Sequence, residues 1–247
     1  MSESLEQGTA IVTGASAGIG AATCYELAGA GANVVLAARS EDRLTNLADD
    51  LEAEYGVETL VVPTNVREED DVDALIEETV ETFGGIDVLV NNAGLARGSE
   101  VESLSTEGYE TMQETNVDGV FYASRAAIPH IREREGHLIF VASFAGQHPR
   151  PANPVYAASK WWVRGFAKSL AAQIGDDGVG ITIVNPAEVR SEFETPDGET
   201  FAERFDEDEA SDPREVAEAI RFAASREGSS ISELDITRRD KFTDTFH

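Results

Sequence analysis

The stretch "TAIVTGASAGIG", residues 9–20, decides how the chain is read. It opens with a short run of β-branched and small apolar residues, the composition of a strand. Glycines then fall at positions 14, 18 and 20, and a helical stretch continues over 18–30. Glycine lets a backbone turn sharply and come close to a bound group. A helix starting directly behind offers unpaired N–H groups to an anion. A glycine-rich loop alone is weak evidence. Here a strand precedes it, a helix follows it, and a second apolar run, "NVVLAA" at 33–38, comes about twenty residues on, which makes it specific. The spacing is GxxxGxG, not the commoner GxGxxG.

Outward from this unit the chain keeps alternating. Further strand-like runs are "ETLVVP" (58–63), "IDVLVNN" (86–92), "HLIFVAS" (137–143), "GITIVNP" (180–186) and the weaker "ISELDI" (231–236). Between them helical periods cover 41–55, 68–83, about 106–132, 154–175 and 212–225. Alternation predicts βαβ units and an α/β fold with a mainly parallel sheet of about seven strands, flanked by helices on both faces. The apolar runs are nearly continuous, as in strands covered on both sides. Neither an internal repeat nor a long linker divides residues 1–247, so one domain of the doubly wound, Rossmann type is expected. Residues 191–211 lack a clear partner element. They carry apolar points at Phe193, Phe201 and Phe205 and are expected to form a substrate lid, the alternative being an acidic surface excursion.

The charge narrows the partners. Forty-seven Asp and Glu face nineteen Lys and Arg, a net of −28, spread along the chain. Such a field repels nucleic acid and anionic membranes. Lysine occurs three times and arginine sixteen. So acidic a surface suggests a halophilic protein, working where salt screens self-repulsion; an ordinary acidic protein is the alternative. No run reaches the length of a membrane span, and the polar start has no secretory pattern. The single cysteine, Cys24, reads as core filler in a reducing, cytoplasmic setting.

The end of the second strand speaks to the cofactor. Where a dinucleotide with a free ribose usually meets a carboxylate, this chain has Ala37, Ala38 and Arg39. An arginine fork suits a 2′-phosphate, which predicts NADP over NAD. In the alternative, Arg39 is a surface charge and Glu41 or Asp42 reaches the ribose.

These residues, with "NNAG" at 91–94, Asn116 in "TNVDG", Ser143 in "VASFAG" and "YAASK" at 156–160, resemble the classical short-chain dehydrogenases/reductases. The order is right over nearly the whole chain, and Ser143 precedes Tyr156 by the thirteen residues usual in that family. The resemblance implies a catalytic set of Asn116, Ser143, Tyr156 and Lys160. It implies cofactor contacts from Gly14, Ser16, Gly18, Ile19 and Gly20, from Arg39, from Asn65 and Val66, and from Asn92, Ala93 and Gly94. Tyr156, Lys160, Pro186, Val189 and Ser191 would complete them. Three departures stand out. Asn65 replaces a usual aspartate, Ala187 follows Pro186 where glycine is usual, and the C-terminus lacks a glycine-rich ending. The last is similar to relatives that oxidise serine and 3-hydroxy acids.

The chemistry needs these residue types. Hydride addition to a carbonyl leaves an alkoxide that must take a proton. A tyrosine, with an ordinary pKa near ~10, is a poor donor at neutral pH unless a cation favours the phenolate. Lys160 at i+4 from Tyr156 shares its helix face and is expected to tune it. Ser143 can hold the carbonyl oxygen. Asn116 sits mid-helix, where asparagine is a poor helix former; the resemblance implies that it distorts the helix and anchors a water leading to Lys160.

The expected activity is interconversion of an alcohol and a carbonyl compound. A 3-ketoacyl-thioester reductase is the alternative enzyme, and a non-catalytic NADP-binding sensor the alternative class. The histidines show no metal spacing, so no metal site is expected. His148 reads as a loop residue. Arg97 and Arg150 could bind a substrate carboxylate, with surface charge the more ordinary reading. On the helix over 154–175, Trp161, Gly165 and Ala172 lie opposite Tyr156. Large beside small suits helix–helix contact, so this face is expected to pack on a second subunit, packing against its own subunit being the alternative; the resemblance implies a homo-oligomer, tetramer or dimer, through helices about 106–132 and 154–175.

Overall fold

A computed structural model describes residues 5–97, 100–193, 199–206 and 208–241. Every residue of β1 (Thr9–Thr13), β5 (His137–Val141) and β6 (Gly180–Pro186) is buried, as strands roofed by helices on both faces must be. With β2 (Asn33–Ala38), β3 (Thr59–Pro63), β4 (Val88–Asn91) and β7 (Glu233–Ile236) they form one parallel sheet in the order β3-β2-β1-β4-β5-β6-β7. Alternate residues feed alternate cores. Ala10, Val12, Val34 and Leu36 meet α1 (Gly18–Gly29), α2 (Glu41–Tyr55) and α8 (Pro213–Ala224). Ile11, Val35 and Phe140 meet α3 (Glu69–Phe83), α5 (Gly119–Arg134) and α6 (Pro154–Ile174). Each fully buried leucine or isoleucine contributes about 2 kcal/mol. The fold is the single-domain Rossmann type expected from the alternation.

Three local features bear on the site. The helix expected over about 106–132 is broken. After α4 (Thr106–Gln113) one π-helical turn, Glu114–Asp118, intervenes before α5. α6 starts where Asn153 accepts a hydrogen bond from the Tyr156 N–H (3.3 Å) and Pro154 takes the first turn, so Tyr156 sits in that turn. The stretch 191–211, of which 194–198 and 207 lie outside the described residues, contains a short helix, α7 (Phe201–Arg204), and a bridge from Val189 to Ser211.

The far edge is held by one carboxylate. Glu233 on β7 accepts from Arg164 Nε (2.5 Å) and Lys168 Nζ (2.8 Å) of α6, from Gln147 Nε2 (2.9 Å) and from Asn185 Nδ2 on β6 (2.9 Å). Burial raises its pKa, but these donors outweigh burial and hold it well below the usual carboxylate range. Cys24 is buried in α1, and burial pushes its thiol up, so it is an inert core residue. Among the described residues no helix is long and apolar enough to cross a membrane.

Candidate active site

A cavity of about 900 Å³ opens at the carboxyl ends of the strands. It lies across the point where the strand order reverses between β1 and β4, the usual ligand crevice of such sheets. The loop after β1 lines one wall. Gly14 has φ +69, a conformation side chains disfavour, and a Cβ on Gly20 would lie 2.1 Å from the Gly14 carbonyl oxygen. Only glycine allows this close turn. Ala17, the residue before α1, supplies no side-chain cap, so the helix start faces the cavity with its own N–H groups. The "NNAG" segment clamps the loop from behind. Thr13 Oγ1 accepts from the N–H groups of Asn92 (3.0 Å) and Ala93 (3.1 Å), and Asn92 Nδ2 donates to the Thr13 carbonyl (2.8 Å).

Farther along lie Arg39 and Arg43 with Asn65 and Val66. Arg43, in the first turn of α2, also reaches Glu192 Oε2 (2.6 Å) and so ties that turn to the segment after β6. Asn65 donates its N–H to Asp71 Oδ2 (3.0 Å), and its amide oxygen accepts from the Arg67 N–H (3.4 Å). The glycine turn, uncapped helix start and two arginines fit a dinucleotide with a phosphorylated ribose.

Ser143, Tyr156 and Lys160 line the other end. Ser143 Oγ accepts the Ala145 N–H (3.1 Å), which leaves its own proton to donate into the cavity. Burial raises the Tyr156 phenol, while a hydrogen bond from Ser143 and the charge of Arg150 lower it. Lys160, expected from the i, i+4 spacing to tune the phenol, lies nearby as well. The spacing puts both residues on one face, but the lysine chain runs on to donate to the Val141 carbonyl (3.0 Å), with Nζ 5.9 Å from the Tyr156 ring centre. Lys160 is 5% exposed, and burial brings its pKa down to about 8.

Asn116 stands behind the cavity wall, fully buried in the π-helical turn. Its side chain accepts from the Leu95 N–H (2.9 Å) and donates to the Leu95 carbonyl (2.8 Å) and Ser159 Oγ (3.0 Å). It thus fastens the loop after β4 to α6. Such single π turns often occur at functional sites.

The segment after β6 forms the third wall. Ala187 does not have positive φ; its N–H bonds the Ile236 carbonyl (2.9 Å), so the missing glycine costs no strain. Ser191 packs against Gly18. Phe193 meets the Tyr156 ring (centres 5.8 Å apart), Phe201 meets Phe193 (5.5 Å), and Phe205 meets Phe201 (5.4 Å). His148 stacks on Phe144 (5.8 Å).

Gly14, Ser16, Gly18, Ile19, Gly20, Arg39, Asn65, Val66, Asn92, Ala93, Gly94, Ser143, Tyr156, Lys160, Pro186, Val189 and Ser191 therefore share one cavity, with Asn116 behind it. The sequence reading passed over Arg43, whose signal was a basic residue four after Arg39, and Ser159, the partner of Asn116.

A family model described as short chain dehydrogenase matches residues 8–201. An uncharacterized oxidoreductase of Staphylococcus aureus is 34% identical over 218 residues, 88% of this chain and 90% of that protein. The structure is similar to an alcohol dehydrogenase from the archaeon Thermococcus sibiricus, solved with 5-hydroxy-NADP: TM-score 0.86, 30% identity, 94% of this chain and 96% of that one. It is also similar to a 3-ketoacyl-(acyl-carrier-protein) reductase from Brucella melitensis, solved with NADH: TM-score 0.84, 29% identity, 94% and 97% covered.

Proposed function

The chain belongs to the short-chain dehydrogenase family, and on that premise we propose that it is an NADP(H)-dependent oxidoreductase that interconverts an alcohol and a carbonyl compound, with Tyr156 as acid and base. One observation carries the reading: Ser143, Tyr156 and Lys160 converge at one end of a cavity whose other end is a glycine turn flanked by Arg39 and Arg43. The fold houses either nicotinamide dinucleotide in the similar structures, so the two arginines favour the phosphorylated one here.

When bound, the nicotinamide supplies or accepts the hydride. The rest falls to the chain. Ser143 donates to the substrate oxygen and holds it beside the phenol. Tyr156 gives its proton to that oxygen as negative charge develops there, and takes one back from an alcohol in the reverse direction. Lys160 keeps a positive charge near the phenolate that this leaves. Asn116 acts at one remove, as a positioning residue that fixes the loop after β4 against α6.

The Phe193–Phe201–Phe205 row running out from Tyr156 supports reading 191–211 as a substrate lid. Tyr109 (46% exposed), Phe121 (38%), Trp161 (47%) and Trp162 (36%) on α4, α5 and α6 support a homo-oligomer through these helices. The acidic composition supports work in high salt, and the lone buried cysteine a reducing compartment. Residues 1–247 are read as one oxidoreductase domain.

Tyr156→Phe tests the proposal. Turnover of carbonyl compounds should fall about 10³-fold, with NADPH affinity unchanged by fluorescence titration. Retained turnover excludes Tyr156 as the acid. A sensor would bind NADPH and turn over no carbonyl compound.

A further inference from the structure

The cavity also holds basic residues assigned neither to cofactor contacts nor to proton donation: Arg97, Arg150 and Arg204. In a chain of net charge −28 this is against composition. Arg204 pairs with Glu199 (3.0 Å), and Arg97 donates to the neighbouring Ala96 carbonyl (3.2 Å). Arg150 differs. Among the described residues its guanidinium makes no hydrogen bond or ion pair. It is half-buried, in the loop between β5 and α6, where its carbonyl is fixed by the Asn153 N–H (3.0 Å). It lines the same wall as Ser143 and Tyr156. Its charge lowers the Tyr156 phenol. Of the acids at this cavity, Glu192 is engaged by Arg43, leaving Glu188.

A guanidinium at a cavity wall without a hydrogen-bond partner is well matched by an anion. Its fork matches the two oxygens of a carboxylate. A positive cavity on a strongly negative protein also concentrates anions where the rest of the surface repels them. We propose that Arg150 binds a carboxylate of the substrate, so that the enzyme acts on oxo acids and their hydroxy acids. The proposal rests on the reading of Tyr156 as the acid. The carbonyl carbon takes the hydride and is reduced by two electrons, NADPH is oxidised to NADP⁺, Tyr156 supplies the proton to oxygen, and the carboxylate is unchanged.

The test is NADPH oxidation with acetoacetate against ethyl acetoacetate, and pyruvate against ethyl pyruvate, in wild type, Arg150→Met and Arg150→Lys. For at least one pair, wild type should favour the acid in kcat/KM by about tenfold or more, a preference that shrinks as KCl is added. In Arg150→Met that acid-to-ester ratio should fall by about tenfold, mainly through KM, and Arg150→Lys should restore part of it. Loss of the charge also raises the Tyr156 phenol and slows both substrates, so the ratio is the readout. A wild-type ratio near one for both pairs, or a ratio untouched in Arg150→Met, overturns the proposal. If esters or aldehydes are reduced and no oxo acid is, the carboxylate site falls and the Tyr156 reading stands. If no carbonyl compound is reduced, both fall.

Discussion

Lys160→Met should leave the fold as stable as wild type at neutral pH, or more so, while removing a residue of the proposed catalytic set. Burial lowers Lys160 from 10.5 to about 8. The folded chain therefore holds this proton less tightly than the unfolded chain. Between pH 8 and 10.5 the unfolded state carries a proton the folded state has shed, so stability rises with pH across that window. Below pH 8 both states are charged and the full penalty is present. At 1.36 kcal/mol per pH unit it amounts to about 3 kcal/mol. Methionine removes it but leaves the Val141 carbonyl, now 3.0 Å from Nζ, without that donor, at a cost of about 1–3 kcal/mol. The variant should thus match or exceed wild type at pH 7 by up to about 2 kcal/mol. Toward pH 10.5 wild type should regain about 3 kcal/mol relative to it. Urea unfolding of both proteins from pH 7 to 10.5 at fixed salt measures this. A stability difference that stays flat with pH would refute the account of a desolvated ammonium. So would a variant several kcal/mol weaker at pH 7.

Gly20→Ala would press a methyl group onto the Gly14 carbonyl oxygen and within 2.7 Å of Asn92 Nδ2, itself held by Thr13. Melts should show a loss of about 1–3 kcal/mol, with NADPH affinity falling too; no change in either would mean the turn is looser than described. Arg39→Asp should cut the NADPH-to-NADH ratio of kcat/KM by about tenfold or more, whereas an unmoved ratio would remove Arg39 from the phosphate. Light scattering in molar KCl should give a dimer or tetramer mass that Trp161→Glu lowers, and a monomer there would end the oligomer proposal. Dilute buffer should lower the melting temperature if the acidic surface depends on screening.

The sequence marks regular elements well and local exceptions badly, for physical reasons. β2, α2 and β6 have the bounds their periods predict, because a doubly covered strand or a half-buried helix leaves an unmistakable apolar pattern. The π-helical turn at Glu114–Asp118 leaves no such trace: one added residue per turn hardly disturbs the period on either side, and the sign was an asparagine where a helix gains nothing from one. Arg43 stands beside Glu41 and Asp42, the acids weighed for the ribose, which drew the reading away from it. Arg150 was discounted because a charge in a loop is usually solvated. The separation of Lys160 Nζ from the Tyr156 ring was also out of reach. Spacing fixes which face of a helix a side chain leaves from, not where four methylenes carry its end.

Glu233 joins places far apart in the chain: the helix bearing Tyr156 through Arg164 and Lys168, the turn after β5 through Gln147, and β6 through Asn185. All the residues assigned to proton transfer are complete by position 160, yet the peg that fastens their helix to the sheet arrives some seventy residues later. A nascent or truncated chain ending before that glutamate would own the whole reacting set and lack the clasp that seats it. Assembly of the proposed reacting centre is in this sense a late event of synthesis, governed by a strand that does not line the cavity.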